Sequence, residues 1–166
     1  MMSFLGQILL PFLVVAAGVS DLLTMRIPNW LNILIALAFF PMALATGMPM
    51  EALLWHCLAA VAVLGVGFGL FSAGFIGGGD AKLFASAALW LGWAQLPQFL
   101  IYTAIAGGVL AVIVQSWHLF RVEGEVHEIG WAKRLFGRKI DLPYGIAIAA
   151  GTILAFPGSW WMPLAS

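Results

Sequence analysis

The sequence predicts an all-α integral membrane protein with six transmembrane helices, and three observations support this fold class. The chain of 166 residues is 63% hydrophobic and only 8% charged, whereas soluble domains carry roughly 25% charged residues. The charges leave uncharged runs long enough to cross a bilayer, which takes about 20 residues. All seven Lys and Arg residues fall in or directly beside loops that six helices would place on one side of the membrane.

The helices are predicted from the uncharged runs, in chain order. Five such runs cover residues 1–20, 27–50, 52–79, 83–120 and 142–166. The first is treated as a retained span because it lacks the basic start and small-residue cleavage site of a signal peptide. Pro28 suits the start of the second helix, and three glycines end the third. The fourth run is too long for one span and is divided at the sequence QLPQ. The six predicted helices cover 4–20, 30–46, 53–73, 81–95, 99–119 and 143–162.

The basic residues give the orientation. They are Arg26, Lys82, Arg121, Lys133, Arg134, Arg138 and Lys139. They all lie in or directly beside the first, third and fifth loops, so this face is predicted to be cytoplasmic, with both termini on the other side. We expect a single domain over 1–166 in the inner (plasma) membrane, with a cytoplasmic loop at about 121–141. The eight tryptophans are expected to face lipid or its interface.

Composition also limits the partners. The net charge is zero, so no basic surface is available for nucleic acid. The single cysteine, Cys57, excludes a disulfide within the chain and a cysteine-based zinc cluster. The three histidines show no ligand spacing, and no metal or cofactor is predicted. The lipid bilayer is one predicted partner, and the oligomeric state is not indicated.

Two acidic residues stand out by position. Asp21 and Asp80 each lie where a predicted span meets the cytoplasmic face. Ionisable groups in membrane spans are costly and are usually functional. Each could instead merely end or cap a helix, since aspartate is a favoured N-cap. Their shared depth and face favour a functional pair.

The residues around the two aspartates suggest a cleft. Gly77, Gly78 and Gly79 are expected to unwind the end of the third helix, because glycine costs about 1 kcal/mol each inside a helix. Irregular backbone at membrane depth survives where it lines a wet cavity. Close helix packing is assigned instead to Gly65 and Gly69.

After Asp21, a stiff turn is predicted to orient its side chain, because Pro28 fixes the backbone and Asn29 and Asn32 add polar groups near the interface. Lys82 could steady a carboxylate or a substrate carbonyl, or could be a simple anchor at the membrane surface.

Three segments together resemble the prepilin peptidases. SDLLTMRIPNWLN resembles their first aspartate motif, GGGDAKLFA their Gly-x-Gly-Asp-x-Lys motif, and LPYGIAIAAG their C-terminal helix. The resemblance covers most of the chain in the expected order. Gly-x-Gly-Asp alone is shared with presenilin-like proteases, and the combination of both aspartate motifs is the more specific signal.

The resemblance implies a membrane aspartic endopeptidase that removes the basic leader from type IV pilin-like precursors at the cytoplasmic face. Carried over by motif, Asp21 and Asp80 are the catalytic residues. Gly77, Gly78 and Gly79 would shape the cleft, and Pro143 and Gly145 would pack beside it. Larger members carry a four-cysteine zinc insert and also methylate the new N-terminus. This chain lacks that insert, so N-methyltransferase activity is not expected. It resembles the short form that accompanies Flp-type pili, with a preflagellin-type substrate as the other option.

Two other classes of protein stay open from the residues alone. Paired aspartates beside a broken helix could bind Na⁺ or H⁺ in a small ion-coupled transporter. Both acids could also be helix caps in a non-catalytic pilus-assembly subunit. Leader removal from a coexpressed precursor separates the enzyme from both alternatives.

Overall fold

The computed structural model describes residues 2–119 and 142–162, and the secondary structure of these residues is helical. The helices are α1 (Met2–Thr24), α2 (Asn29–Ala45), α3 (Met50–Ser72), α4 (Gly78–Leu119) and α5 (Tyr144–Ala155), followed by a 3₁₀ turn at Phe156–Gly158. The first helix extends past its predicted end at residue 20, so Asp21 lies inside α1. The predicted cytoplasmic loop at 121–141 lies outside the described residues.

Helix α4 consists of two arms that fold back on each other at Gly92. There the backbone has φ 68° and ψ −178°, in the left-handed half of φ space that glycine reaches at little cost. Phe84 and Phe99 lie on opposite arms with ring centroids 5.5 Å apart, whereas a straight helix would separate them by roughly 22 Å. The long apolar run is therefore divided into two helical segments, as predicted.

The predicted position of that break, at 95–98, is wrong. Pro97 stays inside the helix, because its fixed φ is helical and it lies near the start of the second arm. His56 lies beside the true break, with Nδ1 2.7 Å from the Leu89 carbonyl oxygen. A Cβ at Gly92 would approach the His56 ring to 2.8 Å, so both the backbone conformation and the space require glycine there.

The core is centred on aromatic side chains at the end of the bundle away from Asp21. Trp90 and Trp161 are buried, and their ring centroids are 4.8 Å apart. The indole N–H of Trp90 donates to the Ile35 carbonyl oxygen, and that of Trp161 to the Trp90 carbonyl oxygen. The expectation that tryptophans face lipid is wrong for these two, because each buried N–H has found an acceptor. Trp30, by contrast, is 64% exposed.

Small residues bring α3 and α4 together, at a different glycine from the ones predicted. A Cβ at Gly67 would lie 3.1 Å from the Ala81 Cβ, whereas Gly65 and Gly69 face open space. The close contact therefore lies on the other side of α3, because Gly67 sits about half a helical turn from Gly65 and Gly69.

The exterior of the bundle is apolar, as expected in lipid. Large apolar side chains such as Phe12 and Val112 are mostly exposed, on a scale that a water-soluble protein rarely shows. By length and composition, three segments can each cross a membrane, namely Gly6–Thr24, Met50–Ser72 and Gly78–Ser116, and α2 and α5 are shorter apolar helices. These features are those of a multi-pass membrane protein. The count of six spans and the placement of the termini stay predictions.

Candidate active site

Asp21 lies in the last turn of α1 and meets the beginning of α5. Its side chain is only 6% exposed, and its Oδ2 accepts a hydrogen bond of 2.7 Å from the backbone N–H of Gly145. That N–H is one of the unpaired donors at the first turn of α5, where the helix dipole favours a negative group. A Cβ at Gly145 would lie 2.8 Å from the Asp21 Cβ and 2.9 Å from its Oδ2. Glycine at this position is what lets the carboxylate reach the helix.

Asp80 is the third residue of α4, and its carboxylate turns back to the residue before the helix. Its Oδ2 accepts a hydrogen bond of 3.2 Å from the Gly77 N–H. An acidic residue at this position satisfies a free donor at the helix start, as in a capping box. The prediction that all three glycines are unwound is wrong for Gly78 and Gly79, which form the first turn of α4. The carboxylate cap stabilises this turn although glycine does not favour it.

The two carboxylates line one cavity of about 640 Å³. Its walls are the end of α1, the turn 24–29 and the glycines 77–79. The start of α4 packs directly on the turn, since a Cβ at Gly79 would lie 3.3 Å from the Ile27 Cβ. The structure thus places Asp21 and Asp80, which are 59 residues apart in the sequence, on the wall of the same cavity.

The turn between α1 and α2 is held by hydrogen bonds that the sequence did not reveal. The Ser20 hydroxyl donates to the Arg26 carbonyl oxygen at 3.1 Å. The Thr24 hydroxyl lies between two acceptors, the Ser20 carbonyl oxygen at 2.7 Å and the Arg26 carbonyl oxygen at 3.1 Å. Met25 has φ 53°, an uncommon value for a residue with a side chain. Backbone strain of this kind is concentrated at functional sites, and methionine gives no sequence signal for it.

Met25 provides a test of that strain. Met25→Val should lower the unfolding free energy by about 1–2 kcal/mol, because the left-handed conformation is costlier for a β-branched side chain. Met25→Gly should leave it unchanged or raise it slightly. Thermal unfolding in detergent micelles measures both, with Leu34→Val in the helical α2 as the control. Equal effects of Met25→Val and Leu34→Val would contradict the strained turn.

The remaining predicted residues divide between this cavity and its surroundings. Pro28 lies just before α2 and lines the cavity with Asn29. Lys82 lies on the next turn of α4, and its Nζ donates to the Asn29 Oδ1 at 2.8 Å. This contact was in neither interpretation of Lys82, and it ties the start of α4 to the start of α2. Pro143 precedes α5 and lies outside the cavity wall.

Asn32, predicted only as a polar group near the interface, has a contact that the sequence did not reveal. It is 4% exposed, and its Nδ2 donates to the Gly79 carbonyl oxygen at 3.3 Å. The opposite amide orientation would place two acceptors against each other. Its Oδ1 is buried without a partner among the described residues. The side chain therefore holds the backbone next to Asp80 and leaves one polar atom unsatisfied.

Asn32→Leu should separate stability from activity. It removes one long hydrogen bond and also a buried unpaired oxygen, which costs about 1–3 kcal/mol. The unfolding free energy should therefore change by less than ~1 kcal/mol, while any activity that depends on the position of Asp80 should fall several-fold because Gly79 is no longer held. Thr103→Val is the control, because Thr103 also has a buried unpaired oxygen but lies on the second arm of α4. If Asn32→Leu is as active as Thr103→Val, Asn32 has no positioning role.

The described residues contain no group of three or more His, Cys, Asp or Glu side chains placed to hold a metal ion. His56 lies at the break in α4, and Cys57 is a half-buried free thiol. What the site offers chemically is two carboxylates beside one cavity, each with a single oxygen bonded to a backbone N–H in the described part of the chain.

Comparisons with known proteins agree on one family. The family described as type IV leader peptidases matches residues 8–112, which is more than half of the chain and includes both aspartates. The prepilin leader peptidase/N-methyltransferases of Burkholderia pseudomallei strains 1026b and K96243 are each 45% identical to it over 42 residues. That match covers 25% of this chain and 13% of each relative. No solved structure gives a significant match.

Proposed function

The chain belongs to the type IV leader peptidase family, and on that premise we propose that it is a membrane aspartic endopeptidase. Its substrate is a type IV pilin-like precursor, from which it removes the basic leader at the cytoplasmic face of the inner membrane. One observation carries the proposal: Asp21 and Asp80 line the same cavity.

The reaction uses the two carboxyl groups as base and acid. The ionised carboxylate takes a proton from a water in the cavity, and the resulting hydroxide attacks the scissile carbonyl carbon. The protonated carboxyl group polarises the carbonyl oxygen during this step. When the C–N bond breaks, the leaving amine takes a proton from the acid, and the pair returns to sharing one proton. The backbone N–H groups of Gly77 and Gly145 hold one oxygen of each carboxylate and leave the other for this chemistry.

A precursor of the Flp type is the proposed substrate, and the product is released without N-methylation. The support is in the sequence: a single cysteine cannot form the four-cysteine zinc site that accompanies methyl transfer in the larger proteins it resembles. A preflagellin-type precursor is the alternative substrate.

Coexpression with a precursor tests the activity. The enzyme shortens the precursor on a gel by the length of its leader, and mass spectrometry of the new N-terminus reads both the cleavage site and its methylation. A transporter or an assembly subunit leaves the precursor intact. A methylated product would overturn the methylation part of the proposal only.

A further inference from the structure

A second concave surface lies beside the cavity and is not used by the proposed chemistry. Helices α2 and α3 both pack on α4, and they meet where the rings of Phe39 and His56 stack with centroids 5.5 Å apart. Between that contact and the cavity a groove of about 440 Å³ runs between the two helices, with the first arm of α4 as its floor. Its apolar lining includes Ile33 and Ala36 from α2, Val61 and Leu64 from α3, and Ala85 and Leu89 from α4.

The groove begins where the cavity ends. Asn29 lines both spaces, and Lys82, bonded to Asn29 at 2.8 Å, lies at the same end of the groove. From there the floor runs from Lys82 to Leu89, about 10 Å or two helical turns. The lining is polar beside the cavity and apolar further along.

A polar cavity followed by an apolar groove matches one kind of ligand, a polypeptide that is polar at the scissile bond and apolar after it. We propose that the groove binds the first apolar helical turns that follow the cleavage site of the precursor, an inference that rests on the proposed function. Small residues allow helices to approach closely in lipid. Four of them line the groove, namely Ala36, Ala60, Ala85 and Ser86. The groove thereby sets which peptide bond reaches the two aspartates.

Photo-crosslinking tests the position of the substrate. A photoreactive amino acid is placed at Ile33 or Val61 in an Asp80→Asn background, which is expected to hold the precursor uncleaved. Ile105 and Val112 on the second arm of α4 are matched controls, because they are exposed to a similar degree (58% and 65%, against 56% and 65%). Irradiation in membranes should join Ile33 and Val61 to the apolar segment of the precursor and leave the two controls at background.

Filling the groove gives a second, functional readout. Ala36→Phe or Ala60→Phe should lower the cleavage rate of the full precursor about tenfold, whereas Ala104→Phe on the exposed second arm should not. A short peptide that spans only the scissile bond should be cut equally by all three variants.

The possible results distinguish the groove from the activity. If wild-type protein cleaves the precursor but Val61 crosslinks only to lipid, to another copy of the chain, or no better than Val112, the groove proposal is wrong and the peptidase proposal stands. If wild-type protein cleaves no precursor, the proposed function itself is wrong.

Discussion

Asp21→Asn and Asp80→Asn are each expected to reduce cleavage of a pilin precursor by about 10²–10⁴-fold, the contribution of a positioned general acid or base. The reason is that asparagine can neither take a proton from water nor give one to the leaving amine. The fold should persist, because the amide oxygen can still accept the hydrogen bond from Gly145 or Gly77 that each carboxylate now accepts.

The measurement is the rate of leader removal in membranes containing equal amounts of each variant. Glu51→Gln is the matched control, since Glu51 is an exposed carboxylate at the start of α3, and its replacement should leave the rate unchanged. Full activity in either aspartate variant would contradict the two-carboxylate mechanism. Loss of activity in only one variant would assign the chemistry to that residue alone.

The double variant sharpens this test. Because the two groups are proposed to act as one unit, Asp21→Asn with Asp80→Asn should be little worse than either single change. Losses that multiply would instead mean that the two aspartates contribute independently, for example as two separate helix caps.

Gly145→Ala is expected to reduce cleavage by roughly 10²-fold although alanine favours helices, because a small misplacement of a reacting group can cost that much. The added methyl group would lie 2.8 Å from the Asp21 Cβ and 2.9 Å from its Oδ2. Either α5 moves away from α1 or the carboxylate rotates, and both lengthen the hydrogen bond of 2.7 Å between Gly145 and Asp21.

A glycine elsewhere in the bundle controls for the general effect of alanine. Gly108 lies on the second arm of α4 with nothing within 4 Å of its added Cβ, so Gly108→Ala should retain full activity and be slightly stabilising. Cleavage rate and thermal unfolding in detergent are measured for both variants. If Gly145→Ala retains full activity, α5 does not position Asp21.

Much of this site was predictable because its signals are local in the sequence. Asp21 is an ionisable residue at the end of an apolar run, which is a local signal of function. The glycines beside Asp80 mark a break between two helices. The motifs around Asp21 and Asp80 indicated which acids to pair. Nothing local to Asn32 indicates that it holds Gly79, because that contact comes from a segment 47 residues away. Nothing local to Met25 indicates strain, because the strain comes from the path of the chain.

Errors in the helix boundaries have the same origin. The sequence QLPQ is the stronger turn signal, yet the break lies at Gly92, where the chain must reverse beside His56. Likewise Gly78 and Gly79 are helical because Asp80 caps the Gly77 N–H, a local stabilisation that outweighs the low helix propensity of glycine.

The sequence by itself determined that this protein lies in a membrane, how many apolar runs it has and which two acids lie at their ends. Composition and charge spacing are properties of the chain alone. Only the tertiary structure decided that α5 meets Asp21 through Gly145, that the two carboxylates share one cavity, and that α2 and α3 leave a groove between them over α4. These are close approaches between distant segments. They depend on which face each helix turns to its neighbours, and a nearly uniform apolar sequence carries almost no periodic signal of that choice.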